Sequence, residues 1–302
     1  MPRFVSVGEC MIEMSGGEDG QYRLGYAGDT LNTAWYARAQ LPGNWNVDYV
    51  TALGDDIYSQ QIVDFLADND LGIGHIQKIE GKRPGLYLIH QAEGDRHFTY
   101  WRGQSAAKLM AEQPGALNDA LAGADIAYFS GISLAILNAR GRGKLMKAIH
   151  LARQSGARVA FDPNERPALW TSPKVMGSTI NAAATIADIV LPTFPDEAAL
   201  FGDASPEAVA QRYLSWGAEE VVVKNGGEPA YVASRESSGW VAPRAGVRSV
   251  DPTGAGDSFN GAYLAARAQG SSPLEAAAAA HATAAIVIGH RGALVPHGLL
   301  GG

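Results

Sequence analysis

Val250-Asp251-Pro252-Thr253-Gly254-Ala255-Gly256-Asp257-Ser258-Phe259 is the stretch on which both fold and chemistry turn. It ends a strand-like segment and opens a helix that runs on through Ala262-Tyr263-Leu264-Ala265-Ala266. Glycines there let backbone N–H groups converge on one point, and the start of a helix adds a partial positive charge. Gly254, Ala255 and Gly256 thus form a candidate anion hole for a phosphoryl oxygen. Asp257 stands beside it, placed to take a proton from an attacking hydroxyl while the amides stabilise charge on the transferring group. A tight strand-to-helix connection with Asp257 as a cap would use the same residues, so other parts of the chain must separate the two readings.

Outward from this turn, short apolar runs alternate with longer helical patterns. Phe4 to Val7, Val47 to Ala52, Ile126 to Phe129, Arg158 to Phe161, Ile189 to Leu191 and Glu220 to Val223 read as buried strands. Thr30 to Leu41, Ile57 to Asp68, Arg142 to Gln154, Lys174 to Ala187 and Pro206 to Trp216 carry apolar residues at helical spacing, and Ala276 to Ile288 reads as a buried helix. Repeated strand–helix units predict an α/β fold with a mainly parallel sheet covered on both faces. Two segments break the rhythm, Met11 to Gly25 and Gly85 to Arg102. The second reads as a hairpin about Ala92-Glu93-Gly94-Asp95, and such strands outside the main sheet predict a small lid.

Composition narrows the function. A chain of 302 residues with 46% hydrophobic and 18% charged residues is globular, and its length suits one α/β domain with an appendage. A formal charge of −7 argues against nucleic acid or an anionic membrane as the main partner, so any anionic ligand needs a local cluster of cations. Cys10, the one cysteine, cannot form an internal disulfide, and Met1 to Val5 runs straight into a strand, so a reducing cytoplasm is the expected home. Seven histidines without metal-ligand spacing argue against a zinc centre, and His281 reads as a satisfied residue on a buried helix. Gly143-Lys144 is followed by Leu145, so no P-loop appears, and no dinucleotide fingerprint is present. Ser130-Gly131-Ile132-Ser133 lacks the glycine pattern of a nucleophile elbow.

Near the other end, Ala27-Gly28-Asp29-Thr30-Leu31-Asn32-Thr33-Ala34 again joins an extended segment to a helix, with Asp29 and Asn32 on the first turn. Those side chains suit sugar hydroxyls. An N-cap role alone accounts for Asp29 but not for Asn32.

With both ends in hand, the chain resembles the PfkB family of carbohydrate kinases, the ribokinase-like group, at Gly28 to Asn32 and at Asp251 to Asp257. Within it the chain is most similar to members that phosphorylate 2-keto-3-deoxygluconate. That likeness rests on Gly8-Glu9-Cys10-Met11-Ile12-Glu13, Pro84-Gly85-Leu86-Tyr87, Tyr100-Trp101-Arg102, Ser130 to Ala135, and Asp162-Pro163-Asn164-Glu165-Arg166-Pro167 with Leu169-Trp170. The resemblance implies one domain over 1–302, a ribokinase-like three-layer sandwich with a mainly parallel central sheet, and a β-lid formed by about 9–26 and 84–104. It implies ATP-dependent phosphorylation of the sugar acid to its 6-phosphate, a step of Entner–Doudoroff-type catabolism. The alternatives are a fructokinase, a ribokinase, a 2-keto-3-deoxygalactonate or 5-dehydro-2-deoxygluconate kinase, or a non-catalytic sugar sensor of this fold.

Residue by residue, the resemblance implies that Gly28, Asp29 and Asn32 bind the sugar while Tyr87, Tyr100 and Arg102 close over it. Asp257 matches the catalytic base, with Gly254, Ala255 and Gly256 as the anion hole. Asn164 and Arg166 match the junction of sugar and phosphates, and Lys224, Gly226 and Gly227 match a nucleotide-binding loop after a strand. A sugar acid carries a carboxylate, for which Arg102 and Arg166 offer paired N–H donors. Ala27-Gly28 replaces the paired glycines of many relatives, and an Asn-x-x-Glu motif linked to magnesium is replaced near Thr193-Phe194-Pro195-Asp196-Glu197. Mg2+ is expected to arrive with ATP, its protein ligands unassigned. A monovalent cation such as K+ has Asp251 and the loop His290-Arg291-Gly292-Ala293 as candidates by resemblance. Relatives pair through their lids, so a homo-oligomer is expected, with an apolar lid face gaining roughly 25 cal/mol per Å² removed from water.

Overall fold

The computed structural model describes residues 1–16, 20–92, 95–235 and 237–300. Its strands are β1 (Arg3–Val7), β2 (Met11–Gly16), β3 (Tyr22–Ala27), β4 (Asn46–Val50), β5 (Ala52–Leu53), β6 (Gln77–Lys78), β7 (Gly85–Ala92), β8 (Asp95–Trp101), β9 (Ile126–Ser130), β10 (Arg158–Asp162), β11 (Ile189–Val190), β12 (Glu220–Val223), β13 (Ala230–Ser234) and β14 (Ser238–Val241). The helices are α1 (Asp29–Gln40), α2 (Ile57–Asp68), α3 (Ala116–Leu121), α4 (Gly131–Ala135), α5 (Ala139–Gln154), α6 (Pro173–Ala184), α7 (Phe194–Phe201), α8 (Pro206–Trp216), α9 (Ala255–Ala268) and α10 (Pro273–Val287).

The main sheet runs β14-β13-β12-β11-β10-β9-β1-β4, parallel from β12 to β4 with an antiparallel edge at β13 and β14. Alternate side chains of a strand point to opposite faces. Val5 and Phe129 therefore join one apolar core with α5, α6 and α8, while Phe4 and Tyr128 join another with α1, α9 and α10. Because both faces are covered, β9 is buried at all five positions, which is why it reads as a continuous apolar run. This is the expected three-layer α/β sandwich.

The expected second sheet is four-stranded, in the order β3-β2-β7-β8, with β2 and β7 parallel and the other pairs antiparallel. β7 and β8 form the expected hairpin; Glu93 and Gly94 of its turn lie outside the described residues.

Several boundaries differ from expectation for identifiable reasons. Val47 to Ala52 is not one strand: β4 stops at Val50, and at Thr51 the chain changes partner, its carbonyl accepting from Gln77, so that β5 pairs with β6. Asn138 starts α5 earlier by accepting from the Gly141 amide. Tight turns at Ile186 and Ala187 end α6 at Ala184. The β13–β14 hairpin has no counterpart among the expected strands, since only its inner half is buried and alternation is weak.

Candidate active site

A cavity of about 940 Å³ opens between the lid and the loops that follow β1, β10 and β12. That is the carboxyl end of a parallel sheet, where such folds bind ligands. The turn of Gly254 to Asp257 forms one wall and the start of α1 another.

Gly254 is the N-cap of α9 with φ 77°, in the left-handed region that favours glycine, and an added Cβ would lie 2.6 Å from the Ala293 carbonyl oxygen. The Ala255 amide donates back to the Pro252 carbonyl at 3.2 Å. First-turn amides have no intrahelical acceptor, which leaves those of Gly256 and Asp257 for an anion. The Asp257 side chain lies in this first turn with one face on the cavity. Its Oδ2 accepts from Asn32 Nδ2 at 2.7 Å. Burial, then the Asp29 charge, raise its pKa to about 7, against the opposing Asn32 bond and Lys224 charge.

Gly28, not Asp29, is the N-cap of α1, and it makes no side-chain cap bond. A Cβ on Gly28 would come within 2.2 Å of the Glu9 carbonyl oxygen, so close approach requires the glycine. Asp29 is thereby free of capping and accepts from Asn164 Nδ2 at 3.0 Å; burial holds its pKa above the usual carboxylate range. Asn164 itself has φ 36°, a left-handed value that Asn tolerates better than most residues. Its amide donates to Asp162 Oδ1 at 3.0 Å.

Asp162 Oδ2 also accepts from Lys224 Nζ at 2.7 Å and from Asn260 Nδ2 at 2.6 Å, and Lys224 Nζ reaches Asn260 Oδ1 at 3.1 Å. Lys224 is thus tied into a buried Asp–Lys–Asn network of which Lys224 and Asp162 line the cavity floor, with Nζ facing Gly256. Asn225 and Gly226 line the cavity beyond it; Gly227 is exposed and outside the lining.

From the lid, Tyr87, Phe98 and Tyr100 stack in a row over the opening, Tyr87 buried with its hydroxyl donating to Glu13 and Tyr100 half exposed. Arg102 lies 5.9 Å from the Tyr100 ring centre and donates from Nη2 to Glu9, which is fully buried. Burial pushes the Glu9 carboxyl up, against the Arg102 charge. Arg166 lines the cavity with Nη1 donating to the Glu165 carbonyl oxygen at 2.7 Å.

The sequence model described as pfkB family carbohydrate kinase matches residues 1–297. The chain belongs to this family. It is 41% identical over 298 residues to the 2-dehydro-3-deoxygluconokinase of Escherichia coli strain K12, covering 96% of each chain. Among solved structures, a PfkB protein from Polaromonas sp. JS666 superposes with a TM-score of 0.84 at 28% identity over 96% of each chain. A putative ribokinase II of E. coli in complex with ATP and Mg2+ superposes with a TM-score of 0.82 at 23% identity, over 97% of this chain and 94% of that one, a likeness of fold.

In this PfkB kinase, then, all the residues expected at the sugar, the phosphates and the base except Gly227 border one cavity, while of the cation candidates only Ala293 does. Sequence reasoning did not single out Glu9, Asp162 or Asn260. Asp162 ends β10 and Glu9 lies two residues past the end of β1, both at the sheet's carboxyl edge, which was a usable signal; Asn260 lies one helical turn after Asp257. Asp196 lines the cavity from the first turn of α7, whereas Glu197 turns inward to Arg212 and Tyr213. Among the described residues no three His, Cys, Asp or Glu side chains form a metal cage. Asp251, the cation candidate, accepts the Thr253 and Gly292 amides at 2.9 and 2.7 Å and so ties the anion turn to the 290–293 loop. His281 meets expectation, bonding the Val241 carbonyl at 3.1 Å against the edge of Phe259. No helix among the described residues is long and apolar enough to cross a membrane.

Proposed function

We propose that this chain transfers the γ-phosphoryl group of ATP to the terminal hydroxyl of 2-dehydro-3-deoxygluconate, the same compound as 2-keto-3-deoxygluconate. The observation that carries the reading is Asp257, oriented by Asn32 beside the amides of the α9 turn, in one cavity with Arg102 and Arg166. The hydroxyl proton passes to Asp257 as the hydroxyl oxygen bonds to the γ-phosphorus. The bond from that phosphorus to the β-phosphate bridging oxygen breaks, and ADP leaves. Bound Mg2+ supplies charge neutralisation for the triphosphate. Gly28, Asp29 and Asn32 hold the sugar, and Asn164, Arg166 and Lys224 with the Gly226 loop face the phosphates. Closure of Tyr87, Tyr100 and Arg102 keeps water out. A monovalent cation such as K+ is assigned to the loop that Asp251 ties to Gly292. The free, buried Cys10 supports a cytoplasmic setting.

Arg102 decides the substrate class, because its charge is already opposed by Glu9. Burial raises the Glu9 pKa, which weakens its hold on Arg102 and favours pairing of the guanidinium with an incoming carboxylate. Coupled ADP release over a panel of ketosugar acids and neutral sugars, with and without Mg2+, is expected to give fastest turnover with the 2-keto-3-deoxy acid. Arg102→Leu lowers kcat/KM for the acid by about 100-fold, roughly 2.7 kcal/mol for a lost charge pair, and spares neutral hexose. An unchanged ratio of acid to hexose activity would assign the cavity to a neutral sugar.

The lid leaves Leu24, Phe98, Tyr100 and Trp101 exposed. We assign them to pairing with the lid of a second copy, in line with the burial of apolar surface that drives association. Sedimentation at micromolar concentration is expected to show a dimer or larger species; monomer alone would refute this.

A further inference from the structure

Glu165 stands between two residues of the cavity wall, Asn164 and Arg166, yet its own carboxyl points away from the cavity. It is 5% exposed, and neither oxygen meets a hydrogen-bond donor among the described residues. The group it faces is another carboxyl. Glu197 on α7 is fully buried, its Oε2 accepting from Arg212 Nη2 at 2.6 Å and its Oε1 from the Tyr213 hydroxyl at 2.7 Å. Two carboxylates cannot both ionise in so dry a place, whereas one proton between them makes a short, charge-assisted O–H···O bond. Arg212 and Tyr213 stabilise the charge on Glu197, so the proton belongs to Glu165. The remaining charges around the pair fit that assignment. Asp196 on α7 adds a further negative field at Glu165, Asp203 takes Nε of Arg212 and shares its Nη2, and Arg166 faces the Glu165 carbonyl rather than its carboxyl.

We propose that Glu165 is a positioning residue, a neutral carboxylic acid whose bond to Glu197 clamps the Asn164–Arg166 segment onto α7 and α8. The segment needs such a clamp. Asn164 holds a left-handed φ of 36°, which persists only where neighbours fix it, and from there it reaches Asp29. Arg166 projects from the other side of Glu165 into the cavity. Burial, and then the Glu197 charge, raise the Glu165 pKa to about 10. The clamp is therefore closed at neutral pH and opens as pH rises through that value. Folding stability changes with the same sign, falling as pH rises from the unfolded carboxyl's ordinary range towards about 10.

The kinetic consequence rests on the phosphoryl-transfer reading; the proton itself does not. The test compares full-length wild type with Glu165→Gln, whose amide still donates to Glu197, and Glu165→Leu, which cannot. At pH 7.5, Glu165→Gln keeps KM for sugar and ATP within about twofold of wild type, while Glu165→Leu raises both about tenfold with a smaller change in kcat. Above pH 9 wild type loses kcat/KM faster than Glu165→Gln, so their ratio drifts with pH. In D2O at pH 8 the infrared difference between wild type and Glu165→Gln contains a carboxylic-acid carbonyl band. Absence of that band, a flat ratio across pH, or Glu165→Gln as damaged as Glu165→Leu each overturns the clamp. If no sugar is turned over by wild type, the functional reading fails and the infrared band still decides the proton.

Discussion

Asp257→Asn is expected to lower kcat by about 10²–10⁴-fold, the usual worth of a positioned base, while KM for the sugar stays near its wild-type value. The replacement keeps the shape and the contact with Asn32 but cannot accept the substrate proton. Wild type should also show an acid limb. Asp257 must be ionised to act, and its pKa of about 7 means that kcat/KM falls tenfold per unit once pH drops below that value. The stability sign is the reverse of the activity sign. Because the folded pKa lies above that of an exposed aspartate, the stabilising contribution is present at low pH and is lost as pH rises through about 7. At pH 8 the Asn variant should therefore melt at a higher temperature than wild type, although water in the cavity screens part of the penalty. Turnover within threefold of wild type would reduce Asp257 to a structural residue of the turn.

Elements marked by local chemistry were legible in the sequence. α8 falls where expected because Ser205 caps its start and Gly217, at φ 114°, ends it. What the sequence left unreadable was choice of partner. Val47 to Ala52 reads as one β-rich stretch, and nothing within it announces that Thr51 leaves one sheet for another. The site divides the same way. Asp257 and Asn32 lie 225 residues apart, and two separate sequence motifs mark them as members of one site without any geometry. Arg102 was legible as a lid cation, but its partner Glu9 was not, because that pairing depends on how the lid folds back over β1. Lys224 read as part of a phosphate-facing loop; that Asp162 and Asn260 hold its ammonium depends on three distant segments meeting.

That last network carries the second large effect. Lys224 and Asp162 are 8% and 3% exposed and paired at 2.7 Å, so neither charge has water to fall back on. Lys224→Met should destabilise the protein by about 3–5 kcal/mol, since it strands the Asp162 carboxylate as a buried charge. It should also impair turnover in two ways. Lys224 lowers the Asp257 pKa and Asp162 raises it, so losing the cation moves the acid limb upward. The ammonium facing Gly256 is lost to the phosphates as well. Adding Asp162→Asn separates the roles. The double variant carries no stranded charge, so denaturant unfolding should show most of the stability restored, a coupling of the kind contacting residues display. Turnover should stay low because the cation beside the α9 turn is still missing. If the double variant is no more stable than Lys224→Met, the ion pair is not what holds this floor together. If it recovers turnover too, Lys224 acts only by neutralising Asp162.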